Sequence, residues 1–89
     1  MSRRRAYSEE TLGIMRRFFE AVDAIKEYKR ISNVQQYLDL IGVPKSHYYM
    51  QRKEIHRGFF EVGWIVPLVR NFGISSAWLL TGVGAMFNA

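Results

Sequence analysis

Lys45, Ser46, Tyr49 and Met50 fall in one six-residue stretch just behind a Gly42-Val43-Pro44 break. Each can touch the edge of a base pair. A lysine ammonium donates to guanine O6 and N7, a serine hydroxyl donates or accepts, and tyrosine or methionine contacts a thymine methyl or a phosphate. Downstream, Arg52, Lys53, His56 and Arg57 form a basic run suited to backbone phosphates. Upstream, Gln35 stands near the start of a preceding helix, where its amide and the helix's first N–H groups can bond a phosphate. His47 joins this phosphate-facing set. Such contacts position a protein on a duplex, and the four residues of the first group would do the reading.

Other chemistries find less to work with. The chain has no cysteine, which removes disulfides and thiolate metal sites. His47 and His56 lie nine residues apart with no clear third ligand, so neither a metal nor another cofactor is expected. The carboxylate pairs Glu9 with Glu10 and Glu20 with Asp23 sit on helix faces among arginines and lysines, where solvation and ion pairing account for them. No nucleophile, base and orienting group recur at meaningful spacing, so the chain is read as no enzyme and is given no small-molecule substrate. An aromatic-rich sheet or a basic-flanked Gly-x-x-Gly loop for RNA is also missing.

The elements that must hold these residues follow from hydrophobic period and capping chemistry. From Ser8 to about Tyr28, Leu12, Met15, Phe18, Phe19, Val22 and Ile25 recur at three- and four-residue steps, which predicts an amphipathic helix. Ser8 is its expected N-cap, with Glu9 and Glu10 favoured in the first turn by the helix dipole. Ser32 or Asn33 can cap a short second helix carrying Val34, Tyr37, Leu38 and Ile41, which Gly42 closes in a left-handed conformation. Pro44 then takes the first position of a third helix reaching Lys53 or Glu54. Tyr48 points to the core and Tyr49 to a partner, because both cannot be buried on so short a helix. Phe60 to Phe72 reads as a fourth helix with Trp64, Ile65, Leu68, Val69 and Phe72 inward, kinked at Pro67 where the ring meets the carbonyl of Gly63. Ser75 or Ser76 caps a last short helix through Trp78, Leu79 and Leu80. Phe18, Phe19, Trp64, Phe72 and Trp78 belong to the core. The expectation is an all-α, five-helix domain over 8–89 with a central helix-turn-helix, preceded by a basic tail over 1–7.

Composition agrees with one self-sufficient unit. In 89 residues, 48% hydrophobic and 15% aromatic content supports a core. A net charge of +5 suits a polyanionic partner, and Arg3, Arg4 and Arg5 could form an arm along a groove. No signal-peptide pattern or apolar run of membrane-span length occurs, so a cytoplasmic protein without a membrane partner is expected.

Two segments resemble a known family. Gly42-Val43-Pro44-Lys45-Ser46 is similar to the Gly-Val-Ser-x-Ser turn of lambda-repressor-like helix-turn-helix proteins. Phe72-Gly73-Ile74-Ser75 with Trp78-Leu79-Leu80-Thr81-Gly82-Val83-Gly84 is similar to the segment closing the DNA-binding domain of phage immunity repressors. The resemblance implies a recognition helix starting near Pro44, binding as a homodimer to a two-fold site on double-stranded DNA, and a role in repressing phage or mobile-element genes. Half-sites would lie one helical turn apart, roughly 34 Å. The chain departs from the family at Leu38, where alanine is usual, at Gln51, where isoleucine or valine is usual, and at Pro67. The competing expectation is an interaction module, an antitoxin or phage adaptor, gripping a protein with Tyr48, Tyr49 and Met50.

Overall fold

In the computed structural model, which describes residues 6–88, Ser8 opens helix α1 (Glu9–Glu27) as expected, its Oγ accepting from the Thr11 amide at 3.1 Å. One face of α1 buries Leu12, Met15, Phe18, Phe19, Ala21, Val22 and Ile25. The helix closes through a Schellman pair: Arg30 N–H donates to Ile25 O and Lys29 N–H to Lys26 O. Lys29 therefore takes the left-handed position, at φ 61°.

Helix α2 (Val34–Ile41) starts at Asn33, whose Oδ1 accepts from the Gln36 amide, while Gln36 Oε1 reaches back to accept from the Ser32 amide at 2.7 Å. This reciprocal capping fixes the start of α2, and Tyr37 and Leu38 anchor it in the core. Gly42 ends it at φ 66°, a conformation that costs an L side chain steric energy. Helix α3 (Lys45–Lys53) begins one residue later than the sequence suggests. Pro44 is its N-cap, with extended ψ of 142°, and not its first helical residue. Tyr48 and Gln51 are the buried residues of α3.

The fourth element differs from a kinked helix. Val62–Ile65 form a 3-10 turn, and α4 (Val66–Asn71) follows it directly with Pro67 in its first turn. There the missing proline N–H would have had no helical acceptor, so Pro67 starts a helix without breaking one. Trp64, Ile65 and Leu68 point inward as expected, but Val69 is exposed and Phe72 only half-buried. Ser75 caps α5 (Ser76–Thr81), its Oγ accepting from the Trp78 amide. The chain then folds back. Ile74 and Phe87 form an antiparallel bridge, the Ser75 amide donates to Met86 O and the Asn88 amide to Gly73 O. Met86 and Phe87 thereby pack against the core.

Phe18 sits at the centre of this five-α-helix arrangement. Its ring centroid lies 5.1 to 6.2 Å from those of Phe19, Tyr37, Tyr48, Phe60 and Trp64, mostly in edge-on or tilted geometries that suit the ring quadrupoles. The buried Tyr37 hydroxyl donates to Trp64 O, joining α2 to the 3-10 turn. Arg17 Nε donates to Leu79 O at 2.8 Å, joining α1 to α5. No helix among the described residues is long and apolar enough to cross a membrane.

Candidate nucleic-acid interface

Two short helices meeting at Gly42 set the geometry of the site. Tyr37 and Leu38 of α2 and Tyr48 and Gln51 of α3 fasten the pair to the core. The Tyr48 ring meets Phe19 edge-on at 5.3 Å and Phe18 at 6.2 Å, which fixes the rotation of α3 about its axis. Lys45, Ser46, Tyr49 and Met50 are consequently turned to solvent. Tyr49 is 45% and Met50 40% exposed, and the Tyr49 ring leans edge-on against Tyr48 at 5.0 Å. The structure thus brings the four expected reading residues onto the outer side of α3. Its first amides receive no side-chain cap, because Pro44 has no acceptor to offer.

The expected phosphate set divides. Lys53 is exposed. Gln35 is exposed too, with its Nε2 donating along α2 to Asp39 Oδ1 at 2.9 Å. Arg52 departs from the outward basic run. Its Nη1 and Nη2 both donate to the Asp23 carboxylate of α1, Nη1 lies 3.3 Å from the Tyr48 hydroxyl, and the guanidinium covers the Phe19 ring. The hydrogen bonds that Arg52 donates to Asp23 hold its already high pKa higher still. In this arrangement Arg52 braces α3 against α1. Burial pushes the Tyr48 hydroxyl up to about 12, partly offset by Arg52, and burial likewise raises Tyr37.

His47 and Arg57 converge on one ring. His47 stacks on Phe59 with centroids 4.2 Å apart, and the Arg57 guanidinium lies 5.6 Å from the same ring centroid. Arg57 also approaches Glu54 at 3.8 Å. Both basic residues are half-buried, in contrast to the exposed run expected from sequence. Tyr7, assigned to the tail by the sequence boundary, is tied to the body: its hydroxyl donates to Arg57 O at 2.8 Å and its ring stacks near His56. The arm formed by Arg3, Arg4 and Arg5 lies outside the described residues.

Gln51 is the residue whose role sequence reasoning missed. It is fully buried; its Oε1 accepts from the Phe59 and Phe60 amides at 2.9 and 3.0 Å, and its Nε2 donates to Ile55 O at 2.7 Å. One side chain thereby ties the 54–60 loop beneath α3 and sets Phe59 against His47. The available signal was a polar residue three positions after the core-facing Tyr48, where helical period asks for an aliphatic one.

No protein-family model, curated protein or solved structure matches the chain.

Proposed function

We propose that this chain is a sequence-specific DNA-binding module of the lambda-repressor-like kind, acting as a transcriptional regulator that reads the major groove with the outer side of α3. The observation that carries this reading is the α2–Gly42–α3 pair, anchored by Tyr48 and Gln51, with Lys45, Ser46, Tyr49 and Met50 together on its exposed side. Those four residue types can discriminate base edges. Lys53 and Gln35 contact the flanking phosphates, and His47 and Arg57 follow where their half-buried donors reach. The family resemblance adds a homodimer on a two-fold operator and a role in phage or mobile-element repression.

A second reading draws on a specific feature. Leu40, Tyr49 and Met50 are exposed apolar side chains on the helix pair, and Arg52 is engaged by Asp23, so the same surface suits a protein partner. Selection from a random duplex pool separates the two when run on the wild type and on a Lys45→Ala, Tyr49→Ala double variant. A two-fold motif enriched by the wild type and lost by the variant supports base reading by α3. Absence of any motif with either protein refutes it and favours the interaction module.

A further inference from the structure

From Val62 to Ala89 the sequence holds one charged residue, Arg70. Beside this uncharged half, a recess of about 370 Å³ opens where the start of α1 meets the 3-10 turn and α5. Ile65 is its buried member, Ile14 and Phe60 are half-buried, and Val62 and Leu80 are exposed. Tyr7 and Thr11 complete the lining, so none of the described residues around it carries a charge. The two hydroxyls differ in what they have left to offer. Tyr7 donates its proton to Arg57 O at 2.8 Å, whereas Thr11 Oγ1 accepts from Ser8 Oγ at 3.0 Å and keeps its own proton for a further acceptor. One wall is set before anything enters. The Phe60 ring centroid lies 5.6 Å from that of Phe18 and 5.3 Å from that of Trp64, and the Phe60 amide donates to Gln51 Oε1 at 3.0 Å.

We propose that this recess is a binding site for a small neutral apolar molecule that carries one hydrogen-bond acceptor. Size, charge and polarity each narrow the occupant. An apolar cavity of about 150 Å³ holds benzene, and ligand sites run from about 300 to 1,000 Å³, so the recess has room for about ten non-hydrogen atoms. A carboxylate or ammonium entering it would give up hydration and meet no counter-charge, which selects a neutral guest. The Thr11 hydroxyl supplies the one directional contact, and a carbonyl or ether oxygen answers it. Binding needs little reordering of the walls, because Phe18, Trp64 and Gln51 already hold Phe60. The recess shares no lining residue with the exposed side of α3, and its chemistry does not depend on DNA. Gln51 nevertheless belongs to α3, so occupancy is felt beneath that helix through the Phe60 amide.

The test is a titration of the full chain with acetophenone, a neutral ketone, followed by methyl and amide NMR, with benzoate, similar in size but charged, run alongside. Acetophenone should move the methyl signals of Ile14, Val62, Ile65 and Leu80 and the Phe60 amide on one isotherm, with a dissociation constant of about 1 mM. Benzoate should bind at least about tenfold more weakly. Thr11→Val removes the donor and should weaken acetophenone binding by about three- to tenfold. Leu80→Glu, at an exposed position, brings a charge to the recess and should weaken it by at least as much. Thermal unfolding checks that both variants stay folded, and the wild-type comparison of the two probes decides the matter should either unfold. The methyls of Leu40, exposed on α2 and not part of the recess, should stay in place. Equal movement of Leu40 means general adhesion to apolar surface and overturns the proposal. So does benzoate binding as tightly as acetophenone, or Thr11→Val binding acetophenone like the wild type. Recess signals that shift with protein concentration in the absence of any probe assign the recess to contact between copies of the chain, and overturn it too.

Discussion

Replacing Gln51 by leucine, close in size and nearer to the aliphatic residue its position invites, should destabilise this chain. Three backbone groups lose their partner at once: the Phe59 and Phe60 amides and the Ile55 carbonyl. An unsatisfied buried polar group costs about 1–3 kcal/mol. The 54–60 loop is half-buried and water reaches part of it, which puts each loss near the lower bound. Burying leucine in place of an amide recovers a fraction. The net is about 2–3 kcal/mol, and at about 4–8 °C per kcal/mol for a domain of this size the melting temperature should fall by roughly 10–20 °C. Urea and thermal unfolding followed by circular dichroism measure it, and hydrogen exchange should show the Phe59 and Phe60 amides opening sooner than those of α1. A variant within about 0.5 kcal/mol of wild type, the range of an ordinary surface substitution, would refute the assignment of Gln51 as the loop's clamp.

Other perturbations have defined outcomes. Lys29→Gly relieves a left-handed non-glycine residue at the end of α1 and should stabilise the protein by about 1 kcal/mol in urea unfolding. Gly42→Ala puts a Cβ into open space but into the left-handed region, and should cost about 1 kcal/mol from backbone strain alone. Asp23→Asn loosens a half-exposed ion pair and should cost no more than about 1 kcal/mol, but it frees Arg52, so duplex affinity should rise at low salt. Tyr37 and Tyr48 stay protonated in the folded state above the unfolded tyrosine value of about 10. Their contribution is therefore complete below that value and is lost as pH rises towards the folded-state value, about 12 for Tyr48. Stability should fall between pH 10 and 12 at up to about 1.4 kcal/mol per pH unit for each tyrosine, measurable by urea unfolding.

Local chemistry made most of the fold legible. The caps Ser8, Asn33 and Ser75 and the left-handed Gly42 each act within four residues of themselves, so a single pass along the chain could place them. Trp64, Ile65 and Leu68 keep a spacing that a 3-10 turn leading into an α-helix satisfies as well as a continuous helix does, and the period alone could not separate the two. Pro67 fits a helix's first turn as readily as it kinks a middle. The division between Tyr48 and Tyr49 was readable because only one side of α3 can face the core. Arg52 was not, since its partner Asp23 lies 29 residues earlier on another helix, and a basic run looks the same whether or not a distant carboxylate claims one of its members. Gln51 was legible as an anomaly, but its partners lie in a loop whose path no periodicity describes.

The contact between Arg17 and Leu79, together with the packing of α5 on α1, has a consequence for biosynthesis. The apolar side of α1 that carries Phe18 is covered by elements translated after it, the last of them α5. At about 5–20 residues per second, the ribosome needs roughly 3 to 10 s to pass from the end of α1 to Leu79. During that interval the apolar side of α1 is covered only in part, first by Tyr37 and Tyr48 and then by Phe60 and Trp64 as each is translated, and the share that α5 covers stays open to the end. The packing of α1 is completed only when α5 has been made, and a chaperone that recognises exposed aliphatic and aromatic side chains has that window in which to hold the chain.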